Sequence, residues 1–252
     1  WRVFCLQRMG HLARAMAMYG MDNADYLPPS SDAGETTPGR VWCPGIAGVG
    51  GPQEYNPDIL VDPKRSLLAT YLNGNHTVFR CPLDPFVGPY QGTNSALIGA
   101  RVPSARTVAL NCAVGTNPNV AKAKQATDGA WLDGAHAHTF NKLFYTFGRN
   151  SDFVRPGPSR TFTFIEEDPY SLNDATLGCM GPLESRQYRM IDWPATLHET
   201  SAAIAFADGH SEFHRWVDNR TRVKNGNVSA NLQPGNVDLE WLAEHTTATI
   251  RP

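Results

Sequence analysis

The chain has 252 residues, of which 41% are hydrophobic and only 18% charged, and a formal net charge of −2. This length fits one large domain or two small ones, the hydrophobic content is enough for a real core, and the charge balance excludes the basic stripe of a nucleic-acid binder. No stretch approaches the roughly 18 consecutive apolar residues of a membrane span, and no signal peptide is visible.

Twenty-two glycines and 19 prolines predict many turns and long ordered loops. The five cysteines, Cys5, Cys43, Cys81, Cys112 and Cys179, include no CxxC, so a zinc knuckle is not indicated. They read as scattered thiols in a reducing compartment. In an exported protein they read as two disulfides and one free thiol, with the pairing open.

Arg2–Tyr19 carries the strongest helix signal. Cys5, Met9, Leu12, Met16 and Tyr19 recur at spacings of three and four, one stripe of an amphipathic helix. Gly20 and the Asp22-Asn23 pair are expected to end it, and Pro28-Pro29 forbid continuation. The chain opens at Trp1 within this pattern, which reads as the continuation of an upstream helix.

Ser30–Asp62 reads as a long surface excursion with few strand signals beyond Val41-Trp42. Pro63–Asn73 predicts a short helix. Arg106–Val114, Lys142–Phe147 and Arg160–Ile165 predict strands, the last by its β-branched and aromatic alternation. Ala121–His138 is polar and turn-rich. Val237–His245 predicts a last turn or two of helix.

The most informative stretch is Ala195–Val217. Two strand-like runs, Ser201–Ala207 and Ser211–Val217, flank Asp208-Gly209, a hairpin signal because a type I′ turn needs φ > 0 at both central residues. A two-residue loop sets Ile204 opposite Phe213 and Ala203 opposite His214. One face then carries Ile204, Phe206, Phe213 and Val217 and is expected under the N-terminal helix, against Met9, Leu12 and Met16. The other carries Ala203, Ala205 and Ala207 beside His210, Glu212, His214 and Trp216 and is expected to meet water or a neighbour.

His198, nine residues and then Asp208-Gly209 resembles the H-X9-DG signature of bacterial prepilin-like proteins related to type II secretion pseudopilins. Asp192, Pro194-Ala195 and Trp216 match the surrounding words. The helix exit CLQRMGHLARAMAMYGMDNADYLPP (Cys5–Pro29), the segment Tyr71–Asp84 with its TVFRCPLD and the strand-plus-acidic-loop Arg160–Asp174 also match, about a third of the chain in all.

The resemblance implies an α+β, pilin-like fold, with an N-terminal helix packed on an antiparallel sheet with long loops. Residues 1–252 would form a single domain, 1–26 the C-terminal half of the pilin helix and 27–252 the head. It implies a structural subunit of a type II secretion pseudopilus or type IV pilus-like filament, extracytoplasmic and anchored in the inner membrane before assembly. Its partners would be other pilin or pseudopilin subunits and the inner-membrane assembly machinery, reached through an apolar helix upstream. It also implies a Cys5–Cys81 disulfide.

Three chemical readings compete. Asp208 and Gly209 make a turn while His198 hydrogen-bonds the backbone where the chain enters the sheet, some 30 Å away along ten residues of strand. Glu166, Glu167, Asp168 and Asp174 offer hard oxygen donors, so Glu167, Asp168 and Asp174 are the candidate ligands for calcium, against a solvated acidic turn. His210, Glu212 and His214 share a strand face that could hold zinc, against a solvated polar face.

No G-x-S-x-G, H-E-x-x-H or P-loop occurs, so no catalytic residue is assigned and no enzymatic activity is expected. The rival functions are an extracellular module binding glycan or secreted cargo through Ser30–Asp62 and Ala121–His138, with Trp42 or Trp131 exposed, and a zinc hydrolase.

Overall fold

Helix α1 (Arg2–Asp22) lies across a mixed five-stranded sheet and buries the stripe Cys5, Met9, Leu12 and Met16. The computed structural model describes residues 1–31, 36–120, 124–136, 143–222 and 232–250. Gly20 does not stop α1. It lies inside the helix where the backbone passes Asn150 so closely that a Cβ would sit 2.1 Å from its side-chain nitrogen. The helix stops instead at Asn23, followed by Ala24 and Asp25 in the left-handed region (φ 54° and 72°).

Between helix and sheet the chain is mostly irregular. Helix α2 (Asp58–Val61) is one turn. The helix expected over Pro63–Asn73 reduces to a 3-10 turn at Thr70–Leu72, closed by left-handed Asn73 and Gly74. A second 3-10 turn, His76–Phe79, is capped by the Asn75 side chain accepting from the Thr77 N–H. Strands β1 (Val87–Pro89) and β2 (Arg101–Pro103) form a small antiparallel ribbon that no sequence signal announced.

The main sheet contains β3 (Val108–Asn111), β4 (Phe162–Glu166), β5 (Thr176–Leu177), β6 (Ser201–Phe206) and β7 (Ser211–Arg215), in the order β5-β3-β4-β6-β7. β5 runs parallel to β3, so the sheet is not wholly antiparallel. The strand expected over Lys142–Phe147 is absent from its described part, where Phe144 and Phe147 make single bridges to Thr249 and Val114; Lys142 lies outside the described residues. Helix α3 (Val237–Thr246) is capped by Asn236, whose side chain accepts from the Asp238 and Leu239 N–H groups.

The β6–β7 register differs by one residue from the two-residue loop. Ala205 pairs with Ser211, Ile204 with Glu212, Ala203 with Phe213 and Ala202 with His214. Phe206 N–H reaches the His210 carbonyl and Gly209 N–H reaches the Phe206 carbonyl, so the loop is Ala207-Asp208-Gly209. Of Asp208 and Gly209 only Gly209 has a positive φ (90°), as in a type I turn closed by a left-handed glycine.

A one-residue slip exchanges the faces. Ala203, Ala205 and Phe213 therefore lie under α1, where the Ser211 hydroxyl donates to the Leu6 carbonyl and Arg2 covers the Phe213 ring. Ile204 and Phe206 take the opposite face, under α3, with Phe206 near His245 and His214 stacked on Trp241 at 3.7 Å between centroids. Two alanines opposite α1 allow the helix to approach closely. Trp216, the residue after β7, is buried, and Val217, expected in the core, is exposed.

The 30–62 excursion also has a structural purpose. Trp42 is fully buried, donates through Nε1 to the Ala175 carbonyl and packs on Phe164 (5.1 Å) and Phe79 (6.1 Å). The loop thus delivers an aromatic plug to the α1 side of the sheet. Among the described residues no helix is long and apolar enough to cross a membrane.

Candidate functional site

His198 sits just before β6, and an abrupt turn aims it. His198 N–H donates to the Ser201 carbonyl and Ser201 N–H donates back to the His198 carbonyl. The two residues between, Glu199 and Thr200, have φ of 53° and 74°. That is the φ signature of a type I′ turn, made without glycine. The feature expected at Asp208-Gly209 therefore occurs nine residues earlier, at Glu199-Thr200.

The turn points the His198 ring inward, not at the backbone as anticipated. Its Nε2 lies 3.3 Å from Cys81 Sγ and 3.4 Å from Glu166 Oε2. Cys81 Sγ lies 3.7 Å from Cys5 Sγ. The four side chains are at most 2% exposed, and their donor atoms all lie within 4.8 Å of one another.

Each comes from a different element. Cys5 is on the first turns of α1, Cys81 follows the second 3-10 turn, and Glu166 ends β4. The supports are specific: Ala203 N–H donates to Glu166 Oε2 at 2.9 Å and Cys81 N–H donates to Thr107 Oγ1 at 2.7 Å. The Phe213 ring, 4.6 Å from that of His198, closes the cluster on one side.

Electrostatics follow from burial and pairing. Desolvation opposes the His198 imidazolium, but contact with Cys81 and Glu166 outweighs it and pushes the group up to about 9. The Cys5 thiol beside it, together with burial, holds the Cys81 thiol well above the ordinary range, with His198 opposing. A buried histidine–carboxylate pair costs most when one partner is removed, because the other is left uncompensated.

The other expected sites do not assemble. Glu167 is buried and accepts from the Ser171 hydroxyl, Asp168 from the Tyr170 N–H and Asp174 from the Thr176 N–H. Each thus serves its own short turn. Among the described residues the convergent set of metal-binding side chains is Cys5, Cys81, Glu166 and His198, not the calcium set Glu167, Asp168 and Asp174.

His210 stacks on Phe206 and bonds Asp208 at the loop, while His214 lies against Trp241, so the histidine face holds no shared ligand position. Asp208 and Gly209 belong to the far end of β6 and share nothing with His198. Trp42 is unavailable to a ligand, and Trp131 is half-buried against His136. All five cysteines are buried and none is in a disulfide, so the Cys5–Cys81 bond that the resemblance implies is not made, the two sulfurs standing 3.7 Å apart; Cys112 Sγ instead meets the Cys179 backbone, donating to its carbonyl and accepting from its N–H.

Sequence reasoning missed Glu166 as a partner of His198, since nothing local links the end of β4 to the residue before β6. Glu166 is the last residue of β4 and turns to the α1 side, whereas Glu167, beyond the strand, bonds Ser171.

Comparison of the chain with protein-family models, with curated proteins and with solved structures finds no match.

Proposed function

We propose that this domain is the structural head of a pseudopilin-like filament subunit outside the cytoplasm, not an enzyme. One observation carries the reading. The four segments that resemble the prepilin-like family each contribute one side chain to a single buried cluster: Cys5, Cys81, Glu166 and His198. Segments matched independently along the sequence thus meet in space.

The cluster is closed, so it fixes α1 to the sheet and offers no room to a substrate. Catalysis calls for a pocket in which nucleophile, base and oxyanion donors converge. A rigid head with a firmly docked N-terminal helix is what a filament subunit requires. The outward face of α1 supports the same reading, because Trp1, Val3, Phe4, Met18 and Met21 are large, apolar and exposed. An exposed apolar face of this kind suits subunit packing.

The test is photo-cross-linking in the source cells, with a photoreactive residue at Val3 or Met21 of the complete gene product. A ladder of multiples of this chain, lost when assembly is blocked, is the expected result. Cross-links at neither position in cells making the protein would overturn the reading.

A further inference from the structure

Four donor atoms of the right chemistry lie within 4.8 Å of one another. Zinc binds thiolate sulfur at about 2.3 Å and imidazole nitrogen or carboxylate oxygen at about 2.0–2.2 Å, usually in tetrahedral array. Those lengths set two sulfurs ~3.8 Å apart, sulfur and nitrogen ~3.5 Å, and nitrogen and oxygen ~3.3 Å. The corresponding separations here are 3.7 Å for Cys5 to Cys81, 3.3 Å for Cys81 to His198 and 3.4 Å for His198 to Glu166.

We propose that Cys5, Cys81, Glu166 and His198 form a closed four-ligand zinc site that ties α1 to the sheet. Sulfur donors select against calcium and magnesium, and two sulfurs with one nitrogen and one oxygen in tetrahedral array suit zinc. All four positions are filled by protein, which defines a structural centre and not a hydrolytic one.

The bonds to Glu166 from Ala203 and from Cys81 to Thr107 hold their ligands in place before metal arrives, as outer-shell contacts do in zinc centres. On binding, the two thiols and any protonated His198 Nε2 give up their protons to water. Two thiolates, one carboxylate and one neutral imidazole remain around the ion.

The same sulfurs could instead form the disulfide that the family resemblance implies. The two states exclude each other and differ in mass and metal content. The filament reading does not depend on the metal, since it is decided by subunit cross-links.

The test uses the 252-residue chain with zinc as the probe, alongside the protein isolated from its source cells without chelator. Plasma mass spectrometry should find one zinc per chain. The content should fall to less than about a tenth in Cys81→Ser and His198→Ala and be retained in Cys43→Ser and Cys179→Ser. Where a ligand variant fails to fold, cobalt loaded into the unaltered chain supplies the readout. Intense visible bands with a thiolate charge-transfer band support the site, and a weak octahedral spectrum overturns it. Absence of zinc, zinc retained in the folded Cys81→Ser variant, or a Cys5–Cys81 linked peptide from the cellular protein would also overturn it.

Discussion

Thr200→Gly is expected to make the protein more stable. Thr200 is a β-branched residue at φ 74°, and its hydroxyl is buried without a hydrogen-bond partner. The left-handed conformation costs an L-residue about 1–2 kcal/mol, and an unmade buried hydrogen bond about 1 kcal/mol at the low end. Against these stand about 0.4–1 kcal/mol for the greater freedom of glycine in the unfolded chain and about 0.8 kcal/mol for a lost, partly buried methyl. The balance is a gain of about 1 kcal/mol. Urea unfolding followed by tryptophan fluorescence measures it, with reductant and chelator held constant so that metal linkage does not enter. A Thr200→Gly protein less stable than the parent would refute the account of the turn. The turn is also the device that aims His198. Strain held there fits a position whose conformation serves the site more than the fold.

The Asp208-Gly209 end of the same strand predicts the opposite sign. Gly209→Ala adds a Cβ that meets nothing within 4 Å, so only the backbone term at φ 90° applies; the cost in the same urea assay should be about 1 kcal/mol. Asp192 is driven by burial, against a bond from the Gly178 N–H and with Asp174 nearby, up to about 7. The unfolded chain releases that proton near pH 4, so this group stabilises the fold in acid and its contribution, about 2–4 kcal/mol, is lost as pH rises from about 4 through about 7. Asp192→Asn keeps an acceptor for Gly178 and should flatten that part of the stability–pH curve. His214 behaves in the reverse sense: burial, opposed by Asp238 and reinforced by His245, pushes it down to about 4. Its contribution is present above about pH 6.5 and is lost as pH falls towards 4, and His214→Phe, keeping the stack on Trp241, should remove that acid sensitivity in thermal melts.

The parts of the fold that were legible are those whose periodicity is local. The stripe of α1, the Arg160–Ile165 strand and the final helix all depend on residues a few positions apart. The hairpin was legible but its register was not, and the reason is specific. A DG pair fits a two-residue loop, and it equally fits a three-residue loop in which only the glycine is left-handed. Hydrophobic alternation usually decides between them, but β6 is buried along its whole length and reads as small or apolar at every position. With α1 on one face and α3 on the other, neither face carries the polar marks that fix a register. The cluster was illegible for another reason. Its members stand at positions 5, 81, 166 and 198, and no local pattern links them.

The nine-residue spacing between His198 and Asp208 acquires a physical meaning from this arrangement. The intervening residues are the two of the tight turn, the six of β6 and the first of the loop. The signature therefore measures one strand and its approaches. It does not bring a histidine to an aspartate. At one end the histidine must lie where a turned backbone can direct it into a cluster beneath α1. At the other the glycine must lie where the chain reverses into β7. Both ends are set by the length of a strand that crosses between neighbours β4 and β7, so inserting or deleting one residue would move either the ring or the reversal out of place. A motif that looks like a catalytic pair on paper is, in three dimensions, a ruler with a different task at each end. The chemistry belongs to the histidine end alone, where Cys5, Cys81 and Glu166 are its partners.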